Sequence, residues 1–183
     1  MMQTKYPGYF LRLDMDGVSA DFEGWAFDVI GPGWKSEIDK PNWGKFADYP
    51  RLYKELPVLP HFGELFGNCV SMFGLGSMAQ LTALPSRAAQ AFPMAGADKI
   101  RWSRENVDPE LLVGFGPFAV DKQLHVRSPR EILIDDTEIN INQWNAAGGI
   151  GILYKDLNPE VSPVPALLAE LTNRIELLER KLK

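Results

Sequence analysis

With 183 residues, 45% of them hydrophobic and 23% charged, the chain has the make-up of one soluble globular domain carrying at most a small insertion, which excludes a disordered or fibrous protein. Its net charge of -5 argues against a protein held on nucleic acid mainly by a basic surface, so no stable nucleic-acid complex is expected and the partner is a small molecule. A single cysteine, Cys69, precludes an internal disulfide; with no signal pattern and no apolar run of membrane length, the expected compartment is the cytoplasm.

In chain order, Tyr9 to Leu13 is an apolar run that reads as a buried strand, ending in Asp14 and Asp16 and closed by Gly17. Ala20 to Val29 has helical periodicity until Gly31-Pro32-Gly33 breaks it. From Trp34 to Leu59 aromatic residues alternate with lysines, acids and prolines without a strand pattern, which predicts a small helical cap inserted after the first strand and helix. His61 to Phe73 returns as a helix, and Met78 to Leu81 is a second strand leading into Thr82. Arg87 to Asn106 is mainly helical despite Pro93 and Gly96, and Phe118 to Val120 forms a third strand before Asp121 and Lys122. Glu131 to Ile134 is a strand ending in Asp135 and Asp136, Ile139 to Ala147 a helix, and Ile150 to Tyr154 a further strand.

This alternation predicts an α/β fold, a Rossmann-like three-layer αβα sandwich around a mostly parallel sheet. The expected division is a core of 1–30 and 74–160, a cap with its return helix at 31–73, and a C-terminal helix at 161–183. In that last helix Val164, Leu168, Leu171, Ile175, Leu178 and Leu182 recur at steps of four and three, a short heptad seam. The seam serves either to lay the helix on its own domain or to pair two copies of the chain in a homodimer.

Two strand ends carry paired carboxylates, and neighbouring carboxylates repel unless a cation neutralises them or they share protons. Hard oxygen ligands of this kind suit Mg²⁺. Thr82 offers a hydroxyl to a phosphate oxygen or to a turn, and Lys122 offers a charge to a carboxylate or a phosphoryl group. Thr82 and Lys122 are weak signals alone, the Asp14 and Asp16 pair is moderately specific, and a second acidic pair is unusual; together, in this order, they are far more specific.

The order of signals resembles the haloacid dehalogenase superfamily of phosphohydrolases, from about Tyr9 to Tyr154. Within it the chain is similar to the 5'(3')-deoxyribonucleotidases, on Asp14-Met-Asp-Gly-Val-Ser-Ala-Asp-Phe22, Thr82 with Pro85, Lys99-x-x-Trp102, Asp121-Lys122 and Leu133-Ile134-Asp135-Asp136. The resemblance implies that Asp14 is the nucleophile of an aspartyl-phosphate route and that Asp16 is general acid and then base. It implies a Mg²⁺ held by Asp14, the main-chain carbonyl of Asp16 and Asp136, with Asp135 beside it or as an alternative ligand. Thr82 and Lys122 would hold phosphoryl oxygens, and Lys99 is a second candidate for phosphate contact.

Substrate choice would fall to the cap, where Phe22, Trp43, Phe46 and Tyr53 are candidates to stack on a nucleobase. Two departures bear on that choice: Ala83 stands where the deoxyribonucleotidases usually have serine, and Thr137 where they often have arginine. The expected activity is dephosphorylation of nucleoside monophosphates. A phosphatase for a sugar phosphate or nucleic-acid end, and an inactive nucleotide-binding or assembly module, are the alternatives.

Overall fold

The computed structural model describes residues 4–35, 41–85, 90–116, 119–156 and 158–183. Five strands, β1 (Phe10–Leu13), β2 (Met78–Ala83), β3 (Leu112–Gly116), β4 (Glu131–Asp135) and β5 (Ile150–Leu153), form one sheet. Their order is β3-β2-β1-β4-β5, and every neighbouring pair is parallel. Parallel pairing requires a crossover between strands, and the helices that supply it cover both faces of the sheet.

Side chains alternate across each strand, so each face has its own apolar set. Leu11, Leu13, Ile132, Ile134, Ile150 and Ile152 pack under α2 (Phe62–Phe73) and the C-terminal α5 (Val164–Lys181). Leu81 and Leu133 face the other way, against Ile141 and Trp144 of α4 (Glu138–Ala146). The result is the three-layer sandwich expected from the sequence. Cys69 is buried in α2 within the first of these clusters.

The heptad seam of α5 is turned onto its own domain. Val164, Leu167, Leu171 and Ile175 are buried against the sheet, Leu168 and Leu178 are partly buried, and Leu182 is exposed. Glu179 ties the helix down by accepting from Tyr9 Oη at 2.8 Å and pairing with Arg130 at 3.0 Å. No helix among the described residues is long and apolar enough to cross a membrane.

Three expectations are corrected. The third strand lies at Leu112–Gly116. It is the sheet's edge and contains Gly114 and Gly116, so it has no continuous apolar run to announce it. Ala119 instead opens a 3-10 helix that runs to His125, and Phe118 lies outside the described residues. The helix expected from Arg87 begins as α3 at Ala95, just beyond Pro93 and Met94, and Arg87 lies outside the described residues.

The cap, thirdly, has no α-helix among its described residues: its regular pieces are 3-10 turns at Trp43–Phe46 and Leu52–Lys54. Pro41, Gly44, Pro50 and Pro57 break any longer run. It holds together through an aromatic cluster that joins Trp34, Phe46 and Tyr53 to Phe22 and Trp25 of α1 (Phe22–Ile30), to Phe92, and to Trp102 of α3 (Ala95–Asn106). Polar ties add to it. Trp102 Nε1 donates to the Leu56 carbonyl at 2.7 Å, the Asp21 amide donates to the Pro57 carbonyl at 2.8 Å, and Arg51 grips Asp98 with two hydrogen bonds of 2.7 and 2.5 Å.

Candidate active site

Because β1 and β4 are parallel neighbours in register, with Leu13 opposite Ile134, both acidic strand ends leave the sheet at the same carboxyl edge. The Asp14 amide continues the ladder, donating to the Ile134 carbonyl at 2.9 Å. One carboxylate oxygen from each of Asp14, Asp135 and Asp136 lies within 4.8 Å of the others. The crevice beyond strand ends of an open parallel sheet is where ligands of such folds bind.

The tight loop after Asp14 makes this approach feasible. Gly17 has φ of +82°, and a Cβ there would overlap the Asp136 carboxylate, so only glycine lets the first acidic loop pass beneath the second. Ser19 and Gln80 brace the loop from below. Ser19 Oγ contacts the Asp14 and Met15 carbonyls at 3.3 and 3.2 Å and accepts from Gln80 Nε2 at 2.7 Å.

Lys122, delivered by the 3-10 helix after β3, divides the carboxylates by task. Its Nζ stands 2.7 Å from Asp14 Oδ2 and 2.6 Å from Asp135 Oδ2. Asp135, fully buried, also accepts from the Thr137 amide at 2.8 Å and from Asn140 Nδ2 at 3.0 and 3.1 Å. Its lone pairs are thereby engaged by protein donors. Asp136 lines the pocket instead and accepts from Thr137 Oγ1 at 3.2 Å, while its main-chain carbonyl accepts from Lys155 Nζ at 2.5 Å.

The electrostatics follow from burial. Burial pushes the Asp14 carboxyl well above the usual carboxylate range; Lys122 pulls it back, and Asp135, Asp136 and Asp16 push it up again. Asp136 is pushed up to about 6 by burial and by Asp135. Burial works against the Lys122 ammonium, but Asp14 and Asp135 outweigh it and hold its pKa above the ordinary lysine value. Three acids against one ammonium leave an excess of negative charge, and hard oxygens at this spacing fit a divalent cation.

A second ion pair lies behind the pocket wall. Lys99 of α3 is fully buried, with Nζ 2.5 Å from Asp16 Oδ2 and 2.8 Å from Thr82 Oγ1, and 4.4 Å from the centre of the Tyr53 ring. Lys99 thus holds Asp16 through Oδ2 alone; Asp16 Oδ1 has no partner among the described residues, and Asp16 lines the pocket outside the three-carboxylate group. Neither Thr82 nor Lys99 lines the pocket; Lys99 touches Asp16 and Thr82.

The pocket has a volume of about 330 Å³. Asp14, Asp16, Lys122 and Asp136 form its polar floor, and Phe22, Trp43, Tyr53 and Ala83 stand on its walls. Phe46 does not reach it. That ring is fully buried in the cap, stacked on Phe22 with centroids 5.6 Å apart. Pro85, quoted in the resemblance, lines the pocket too, and Pro41, Leu84 and Asn140 line it without having been singled out in the sequence. Asn140 was not within reach of sequence reasoning, since it meets Asp135 across the start of α4 and not along one helix face.

No family model matches the chain, and no curated protein matches it. Among solved structures, the crystal structure of a hydrolase from Streptococcus pneumoniae TIGR4 is similar, at 14% identity over 84% of this chain and 95% of that one, with a TM-score of 0.43. So distant a likeness carries no weight for function. The class defined by fold and site is a parallel α/β protein with a carboxylate-lined pocket competent to hold a divalent cation.

Proposed function

We propose that the chain is a Mg²⁺-dependent phosphomonoester hydrolase that works through an aspartyl-phosphate on Asp14, with nucleoside monophosphates, deoxyribonucleotides foremost, as substrates. The observation that carries this reading is the setting of Asp14: a buried carboxylate at a strand end, fixed by Lys122 at 2.7 Å, grouped with Asp135 and Asp136, and open to a pocket. Asp14, Asp136 and the main-chain carbonyl of Asp16 would hold Mg²⁺, which would supply the positive charge that lets a carboxylate approach a phosphate.

The protein's own groups divide the remaining work. An Asp14 oxygen attacks phosphorus, the bond from phosphorus to the leaving oxygen breaks with its electron pair on that oxygen, and Asp16 delivers the proton. Water then attacks the aspartyl-phosphate, Asp16 takes the proton back, and Asp14 is released with inorganic phosphate. Lys122 steadies charge on Asp14 and on the phosphoryl group, held in place by Asp135. Lys99 and Thr82 support Asp16 from behind. Trp43, half-buried on the pocket wall, offers a ring to a base, a stack worth about 1–3 kcal/mol, while Phe22 and Tyr53, buried and stacked on one another, shape the wall behind it.

Phosphate release over a panel of nucleoside monophosphates and sugar phosphates, with and without chelator, tests the reading. Activity is expected to need Mg²⁺ and to vanish in Asp14→Asn, which keeps size and loses the nucleophilic charge. Asp16→Asn is expected to lose about 10²–10⁴-fold. Near-normal turnover in Asp14→Asn would sink the aspartyl-phosphate route.

A further inference from the structure

Asn140, in the first turn of α4, is only 3% exposed yet belongs to the pocket wall. Its Nδ2 donates to both Asp135 oxygens, which fixes the direction of the amide, because the reversed amide would set its carbonyl against a carboxylate. Its Oδ1 accepts from no group among the described residues. A buried acceptor left without a donor costs about 1–3 kcal/mol. Among the described residues no protein donor meets this oxygen, which belongs to a residue of the pocket lining.

Beside a carboxylate group of this kind, the donor that fits is water carried by the cation. Mg²⁺ demands a near-ideal octahedron of oxygens and keeps several waters, each with protons to place. Asp135 is closed to them, its oxygens already taken by Lys122, Thr137 and Asn140 itself. We propose that Asn140 is a positioning residue of the cation site, accepting through Oδ1 from a water of bound Mg²⁺ while its Nδ2 braces Asp135. The proposal rests on the Mg²⁺ reading above and adds a preference to it. Ca²⁺ takes more direct oxygen ligands in looser geometry, and so depends less on an acceptor in its outer shell.

Calorimetric titration of the full chain with MgCl₂ and, separately, CaCl₂, without substrate, reads this directly. In Asn140→Leu the Mg²⁺ affinity is expected to fall about 10–100-fold, with a clearly smaller loss for Ca²⁺ and an unchanged circular dichroism spectrum. Equal losses for the two cations would leave Asn140 as a brace for Asp135 alone and overturn the proposal, as would an unchanged Mg²⁺ affinity. Should the leucine variant not fold, Asn140→Ala carries the same comparison, alanine being the best helix former. A wild-type chain that binds neither cation would overturn the Mg²⁺ reading itself, an outcome distinct from a wild type that binds and a variant that binds equally well.

Discussion

At the scale of single residues, Gly17 bears the closest constraint. Its φ of +82° alone disfavours any L side chain by about 1–2 kcal/mol, and a methyl group there would also collide with the Asp136 carboxylate. Gly17→Ala is therefore expected to lower the melting temperature and to cut phosphate release more than that loss of stability explains. Asp136 sets a pH window. Its pKa is raised in the folded chain to about 6, so a proton competes with the cation below that pH and leaves the site above it. The rise in melting temperature given by Mg²⁺ is expected to be full at neutral pH and to shrink as the pH falls through about 6; a Mg²⁺ effect that persists undiminished well below that pH would contradict it. Paired aspartates at two strand ends were legible in the sequence because such repulsion is rarely tolerated without a purpose. The resemblance implied a metal on Asp136 with Asp135 beside it or as an alternative; that Lys122, Thr137 and Asn140 are the groups that fill Asp135 depends on rotamers and could not be read there.

Among the elements, α5 shows what periodicity tells and what it leaves open. Its apolar repeat announced a helix with one sticky face, but the partner of that face is the chain's own sheet, and the buried set includes Leu167 where the seam has Leu168. The Tyr9–Glu179 contact gives this docking a measurable signature. Burial first, then the hydrogen bond and charge of Glu179, push the Tyr9 phenol up to about 12, above its ordinary value near 10. Since the unfolded chain loses that proton first, stability from this contact is whole below about pH 10 and is lost as the pH rises toward 12. Denaturant midpoints for wild type and Tyr9→Phe are expected to converge over that interval; parallel curves would refute the linkage. β3 teaches the opposite lesson. As a half-exposed edge strand with glycines it left almost no pattern, whereas the fully buried β4, Glu131–Asp135, was plain.

For the molecule as a whole, the parallel sheet and its three layers followed from alternation, while the order of the strands and the internal architecture of the segment between α1 and α2 did not. Pro41, Pro50 and Pro57 keep its helical pieces to short 3-10 turns, and what holds them together is ring packing across three elements, a long-range property with no local period. The same packing decides how the pocket is reached. Arg51 grips Asp98, and Asp98 is the residue next to Lys99, which touches Asp16. The segment carrying Arg51 is thus moored one position from the lysine that holds Asp16, beside a pocket of about 330 Å³. A cavity of that size selects by bulk: on the phosphatase reading proposed above, rates are expected to drop steeply from one nucleotide to short oligonucleotides carrying the same terminal phosphate, and equal rates would contradict it.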